Sequence, residues 1–132
     1  MNPDLRSTPP SSLKDKALSF LNLVVSGNVR EAYERYIDTD FCHHNPHFRG
    51  DAKSLMLAME ENAVKNPHKI FDVKLAIEEG DKVVVYSHIR QNPDDRGAAV
   101  VHIFRFENNK VVELWDIGQS LPENFPNENG MF

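Results

Sequence analysis

The segment that most constrains the fold is Ala98–Gln119, AAVVHIFRFENNKVVELWDIGQ, which predicts two β-strands joined by a tight turn at Glu107–Asn109. Each strand carries one ionisable side chain among apolar neighbours, His102 on the first strand and Asp116 on the second. Because side chains alternate along a strand, the length of the turn decides whether these two groups share one face of the sheet. If they share a face, they form one wall of a cavity.

Two turn lengths are compatible with the hairpin sequence. A two-residue turn, Asn108-Asn109, puts His102 on the face of Trp115 and leaves Asp116 on the other face. A three-residue turn, Glu107–Asn109, requires left-handed backbone at its last asparagine, which this residue type tolerates. We predict the three-residue turn, because it gathers the other charged side chains of the hairpin on the opposite face. The shared apolar face then holds Val100, His102, Phe104, Phe106, Val112, Leu114 and Asp116.

Composition limits the class of protein. A chain of 132 residues predicts one domain, which we place at 11–132 behind a flexible arm at 1–10 that contains three prolines. A formal charge of −5 argues against nucleic acid, and no run of about 18 apolar residues predicts a membrane span. The start of the chain lacks the features of a secretory signal, and the single cysteine, Cys42, excludes an intramolecular disulfide. We therefore expect a cytoplasmic protein.

Hydrophobic periodicity predicts helices first and strands afterwards. The predicted helices span about 12–26, 28–37 and 52–65, with Ser11 or Ser12, Asn28 (in a capping box with Glu31) and Asp51 as their N-caps. The segment Asp38–Gly50 is predicted to be irregular. From Lys69 onward the period changes to two, which predicts four strands that end with the hairpin. This order predicts an α+β domain in which one strongly curved antiparallel sheet wraps over three N-terminal helices.

Three histidines lie in the segment predicted to be irregular: His43, His44 and His47, next to Asn45-Pro46. One interpretation is a surface loop with solvated histidines. Another uses His43 or His44 as an acid, base or hydrogen-bond donor in a pocket, with Asn45 fixing the turn. A metal site is the weaker interpretation, since adjacent histidine side chains cannot easily share a metal ion and no HExxH helix is present.

Asp116 is the strongest candidate for a functional residue. A carboxylate between Trp115 and Ile117, late in an apolar strand, costs free energy to bury unless another group pairs with it. His102 is the expected partner, and a carboxylate–imidazole pair in a dry pocket can move a proton to or from carbon near neutral pH. The alternative is a hydrogen-bonded pair with only a structural role.

The strand VVVYSHIRQ adds two further polar candidates, Tyr86 and His88, which share one face. They either face solvent on a one-sided sheet or lie beside His102 and Asp116. On the other face of the hairpin, an apolar patch predicts a covering surface, for which a second copy of the chain is suitable. The patch consists of Val101, Ile103, Val111, Trp115 and Ile117.

The motifs HHNP, YSHIR and VVHIFRFENNKVVELWD and the GMF ending together resemble the SnoaL-like polyketide cyclase group. In particular, they resemble its bacterial branch of predicted aldol-condensation enzymes, within the nuclear-transport-factor-2-like superfamily. The resemblance covers about Ser12 to Phe132 and is most specific at His44–Pro46, Asn92–Gly97 and Ile103–Asp116. It implies a cone-shaped α+β barrel with a deep pocket between sheet and helices, commonly dimerised through the convex face of the sheet.

The resemblance also implies roles for individual residues. Acid–base chemistry without metal or organic cofactor is implied, with Asp116 as the carboxylate of the final strand. His44 corresponds to the histidine of the HNP turn, and His88 lies on a strand that often supplies polar groups. Relatives commonly carry aspartate where this chain has His102, so a two-carboxylate mechanism is not expected here.

We therefore predict a cofactor-independent acid–base enzyme that acts on a small apolar carbonyl or polyketide-like compound. Asp116, assisted by His102, would abstract a proton next to the carbonyl, and His44 or His88 would donate to the enolate oxygen. The alternatives are a non-catalytic small-molecule binding protein with the same pocket, and a metal-binding protein that uses these four residues. The remaining residues predicted to contact the ligand are Tyr86, Asn45, Phe20, Tyr33, Met56, Met59 and Phe104.

Overall fold

The computed structural model describes residues 12–132, so the predicted flexible arm at 1–10 lies outside the described residues. In chain order the elements are α1 (Leu13–Val25), α2 (Val29–Tyr36), β1 (Ile37–His43), α3 (Ala52–Lys65), β2 (Ile70–Glu79), β3 (Lys82–Arg90), β4 (Ala98–Glu107) and β5 (Lys110–Ser120). The predicted α+β class is confirmed. Within residues 12–132, none of the helices has the length and apolar character needed to cross a membrane.

Two of the three predicted helix caps form. The side chain of Ser12 accepts a hydrogen bond from the backbone N–H of Asp15 at the start of α1. Asp51 does the same for Ser54 at the start of α3. The capping box predicted at Asn28 is wrong, because its side chain donates to the Oγ of Ser26 and makes no bond to the first turn of α2.

The prediction of four strands, all antiparallel, is wrong by one strand. The five-stranded sheet has the order β1-β5-β4-β3-β2, and β1 lies parallel to β5 at one edge. The sequence of β1, IDTDFCH, is polar, and only Phe41 and His43 are buried in it. Its backbone pairs with a strand about 70 residues later in the chain, so no local sequence pattern predicts that β1 is a strand.

The turn of the β4–β5 hairpin has two residues. Glu107 pairs with Lys110, and both Asn108 and Asn109 have positive φ, 51° and 66°. These are the angles of the two-residue turn whose twist matches that of paired strands. The predicted three-residue turn, which would pair Phe106 with Lys110, is therefore wrong.

A β-bulge in β5 then changes the register by one residue. Phe106 pairs with Val111, but Arg105 pairs with Glu113, so Val112 is the extra residue. Val111 faces the protein core and is fully buried, contrary to its predicted place in the apolar patch on the other face. The bulge compensates for the shorter turn, so the strands beyond it have the facing that we predicted.

As a consequence, His102 lies directly opposite Asp116, and the two side chains share one face. We call this the inner face, since it packs against the helices, and we call the opposite one the outer face. Phe104 and Phe20 of α1 are fully buried between sheet and helix, with ring centroids 5.9 Å apart in an edge-on contact. This core supports the residues of the candidate site from below.

Candidate functional site

Two adjoining cavities lie between the helices and the inner face, with volumes of about 320 Å³ and 220 Å³. Both are lined by Met59, Asn62, Lys69, Gln91 and Asp116, which we call the shared wall. The larger cavity, the α3 lobe, is also lined by Asn45, Phe48, Leu55 and Ala58. The smaller one, the α1 lobe, is also lined by Leu21, Val24, Val25, Phe71, Ile89, Ala98, Val100 and His102. The polar residues of the shared wall thus lie where two largely apolar cavities meet.

One carboxylate oxygen of Asp116 is hydrogen-bonded in the described part of the chain, and the other is not. Its Oδ2 accepts a hydrogen bond of 2.9 Å from Nδ2 of Asn45. The Oδ1 of Asn45 accepts from the backbone N–H of His47, which fixes the orientation of the amide and its turn as predicted. The Oδ1 of Asp116 lies 3.7 Å from Nε2 of His102, beyond hydrogen-bonding distance. Within residues 12–132, this oxygen therefore has no hydrogen-bond donor.

His102 is buried, with an exposed fraction of 6%. Its Nδ1 has no hydrogen-bond partner among the described residues. Burial lowers the pKa of His102, and the nearby carboxylate of Asp116 acts in the opposite direction but is the smaller influence. The imidazole is accordingly neutral near pH 7, so it can serve as a hydrogen-bond donor or acceptor without adding a buried charge.

Tyr33 borders the site from below. Its hydroxyl lies 3.3 Å from the sulfur of Met59, a shared-wall residue. Burial, followed by the negative charge of Asp116, raises the pKa of Tyr33 well above its ordinary value. Among the other apolar residues predicted to contact a ligand, Phe20 and Phe104 are fully buried and Met56 packs against the same core. Met59 alone of that apolar group lines the two lobes, as far as the described cavities extend.

The predicted placement of Tyr86 and His88 beside Asp116 is wrong. Val85 pairs with His102, so the even-numbered residues of β3 point to the outer face. There the hydroxyl of Tyr86 donates to the backbone oxygen of Met131, and the ring of His88 packs against Phe132 at 4.8 Å. The apolar alternate residues of β3 occupy the inner face because they pack under α1.

His44 also lies on the outer face and lines neither lobe, so its predicted place beside His102 is wrong. It borders a separate cleft of about 550 Å³ that Asn45 and Asp116 also line. Its ring stacks on Trp115 with centroids 5.0 Å apart, and its Nε2 lies 2.7 Å from a carboxylate oxygen of Glu113. The neighbouring His43 points inward, where its Nδ1 accepts from the N–H of Asn45 and its Nε2 donates to the carbonyl of Arg49. Both nitrogens of His43 are therefore used to hold the loop.

The predicted metal set of His44, His88, His102 and Asp116 is not assembled, because its members are divided between the two faces. A different group of donor atoms from Cys42, His44 and Glu113 lies together on the outer face, within 4.8 Å of one another. These donor types suit zinc. The carboxylate of Glu113 is already bound by His44 and by Nε of Arg105 at 3.0 Å, and none of the three residues lines either lobe.

Lys69 is the most important residue that the prediction missed. It precedes β2 and lines both lobes, and burial lowers its pKa. The sequence could have predicted its inward orientation, because Lys69 lies two and four residues before Phe71 and Val73, which pack against the core. The same applies to Gln91 by alternation with Ile89, another residue of the α1 lobe.

Residues 16–122 match the family model of the SnoaL-like polyketide cyclases. The chain belongs to this family. The predicted resemblance is thereby confirmed over most of the range that we gave for it. No curated protein is significantly similar in sequence to this SnoaL-like chain.

Solved structures show the same fold. An NTF2-like protein of unknown function from Cytophaga hutchinsonii is 19% identical, with a TM-score of 0.67 over 85% of this chain and 94% of its own. An NTF2-like protein of unknown function from Burkholderia xenovorans is 20% identical, with a TM-score of 0.69 over 86% of this chain and 87% of its own. A candidate polyketide cyclase from Sinorhizobium meliloti is 11% identical, with a TM-score of 0.64 over 85% of this chain and 97% of its own. At these identities the similarity establishes the nuclear-transport-factor-2-like fold.

Proposed function

We propose that this SnoaL-like chain is a cofactor-independent acid–base enzyme that acts on a small, apolar, polyketide-like carbonyl compound. The reaction is of the cyclase, aldol-condensation or isomerase type. The observation that supports this proposal is the geometry of Asp116, which has one oxygen anchored by Asn45 and the other free, beside a buried neutral imidazole. A fixed carboxylate of this kind is suited to take a proton from carbon.

In the proposed mechanism, Oδ1 of Asp116 accepts the proton from the carbon next to the carbonyl, and the electron pair moves to give an enolate. The same oxygen returns the proton in a later step, so no external acid is consumed. His102 assists because its neutral imidazole borders the carboxylate at 3.7 Å without placing a positive charge there, which would weaken the base. His44 and His88 have no part in this mechanism, since neither lines the two lobes.

A second proposal is a non-catalytic small-molecule binding protein that uses the same cavity. The aliphatic lining of the α1 lobe favours retention of an apolar ligand, whether or not that ligand reacts. Enzymes and binding proteins can share one fold, so the site and its chemistry must distinguish them.

Proton exchange distinguishes the two functions. We expect the wild-type protein to catalyse exchange of deuterium from solvent into the carbon next to the carbonyl, measured by NMR over a panel of apolar ketones and 1,3-diketones. The comparison is the same panel with an equal concentration of free imidazole and acetate. Binding of several panel members without accelerated exchange would favour the binding protein.

We also propose that the chain forms a homodimer through the outer face of the sheet. Ile117 is 57% exposed there, next to the partly buried Val101, Ile103 and Trp115. On the same face Leu75 and Ile77 are 47% and 56% exposed. Such a surface is costly to leave in water, and a second copy covers it symmetrically.

Replacing Ile117 with glutamate is expected to raise the dimer dissociation constant at least about tenfold, because a charge would be buried at the interface. Light scattering after size-exclusion chromatography measures the mass of each species. Val64→Glu is the matched control, since Val64 is 82% exposed on α3. A wild-type protein that is monomeric at micromolar concentration would contradict the proposal.

A further inference from the structure

Lys69 belongs to the shared wall, and its ammonium group has no counter-ion among the described residues. Within residues 12–132 no carboxylate forms an ion pair with it and no acceptor is hydrogen-bonded to it. It is the one lysine or arginine among the residues that line the two lobes in the described part of the chain. Burial lowers the pKa of Lys69, because the charged form loses hydration there. The N–H groups of the Lys69 ammonium are therefore available to donate hydrogen bonds to a ligand in the cavity.

Two polar atoms of other residues that line the α1 lobe also lack partners. The Oε1 of Gln91 and the Nδ1 of His102 are buried and have no hydrogen-bond partner in the described part of the chain. Gln91 lines both lobes together with Lys69, and His102 lines the α1 lobe. Buried polar atoms are normally satisfied, so unmet donors and acceptors around the α1 lobe indicate the place of a polar ligand group.

We propose that Lys69 receives the carbonyl oxygen of the substrate and stabilises the negative charge that forms on it. This inference rests on the proposed function, in which Asp116 is the base. The C–H bond next to the carbonyl breaks, its proton goes to Asp116, and its electron pair forms the C=C bond of the enolate. The charge on the carbonyl oxygen then faces the ammonium of Lys69, and proton return from Asp116 reverses the change.

The same arrangement defines a substrate class. The carbonyl oxygen lies at the shared wall, and a neighbouring hydroxyl donates to Oε1 of Gln91 after rotation of the amide, since this oxygen is fully buried in the unliganded structure. The apolar remainder of the molecule occupies the α1 lobe, against Leu21, Val24 and Phe71. The ligand is therefore an apolar compound with a carbonyl and an adjacent hydroxyl, such as a β-hydroxy ketone or the enol form of a 1,3-diketone.

The test uses 4-nitrophenol, whose phenolate oxygen mimics that of an enolate and whose ionised form is seen by its colour. Binding is measured in the Asp116→Asn variant, because the neutral amide removes repulsion between Asp116 and the anion. Adding Lys69→Met is expected to weaken binding of the phenolate at least about tenfold, the usual value of a hydrogen bond to a charged group. Adding Lys69→Arg should preserve most of the affinity.

Neutral 4-nitroanisole, which has no ionisable oxygen, should bind equally well with Lys69 or methionine at position 69. Lys74→Met is the control for loss of charge, since Lys74 lies on the outer side next to Asp72 and Phe132. Equal phenolate affinity in the lysine and methionine proteins would overturn the proposal, as would the absence of any phenolate binding. Phenolate binding that depends on Lys69, without proton exchange by the wild-type protein, would refute the proposed enzyme and leave Lys69 as an anion site.

Discussion

The Asp116→Asn variant is expected to exchange the proton next to a substrate carbonyl about 100- to 10,000-fold more slowly than the wild-type protein. Asparagine has the shape of aspartate but cannot accept a proton at neutral pH. Its side-chain oxygen can still accept the hydrogen bond from Nδ2 of Asn45, so the local structure should persist. The rate is measured by NMR in deuterated buffer, and thermal unfolding verifies that the variant is folded.

Glu113→Gln is the matched control for this variant. It makes the same change from carboxylate to amide three residues earlier in β5, where the side chain points to the outer face and contacts His44 and Arg105. We expect its exchange rate to stay within about twofold of wild type, since Glu113 lines neither lobe. Exchange by Asp116→Asn at the wild-type rate would refute the assignment of Asp116 as the base.

The pairing of Asp116 with His102 was predicted correctly from a turn that proved to be wrong. The two-residue turn at Asn108-Asn109 would by itself have placed these side chains on opposite faces, and the bulge at Val112 restores the shared face. The alternation of polar and apolar residues therefore determined which side chains share a face more strongly than the sequence of the turn did. A bulge depends on how the whole sheet packs, which a hairpin sequence does not reveal.

The errors at Tyr86, His88 and His44 have a different cause. In β3 both sets of alternate residues contain apolar side chains, so the pattern does not tell which set packs under α1. The C-terminal Phe132 covers the ring of His88 on the outer face, and this contact joins residues far apart in the chain. For His44, the decisive fact is that β1 reaches His43, because neighbouring residues of a strand point in opposite directions.

Sequence patterns predicted correctly those features that depend only on neighbouring residues, such as helix caps. Ser12 and Asp51 cap their helices through a hydrogen bond to a residue three positions later, and both caps were predicted from sequence. Lys69 and Gln91 could have been found by the same alternation that placed Phe71 on the inner face. They were missed because a charged or amide residue at the end of a strand is usually solvated.

The Phe104→Ala variant is expected to lose about 3–5 kcal/mol of folding free energy, the usual cost of removing a buried phenylalanine ring. Phe104 is fully buried, and its ring contacts Phe20 of α1 and lies 6.2 Å from the ring of His102. Urea unfolding measures the loss as a lower midpoint at an unchanged slope. Phe125→Ala, at a residue 42% exposed, is the matched control and should cost less than about 1 kcal/mol. The ring of His102 packs beside that of Phe104. A small loss of folding free energy in Phe104→Ala would therefore mean that the core does not hold the site rigidly. The fixed geometry of Asp116 and His102, on which the mechanism depends, would then lack its support.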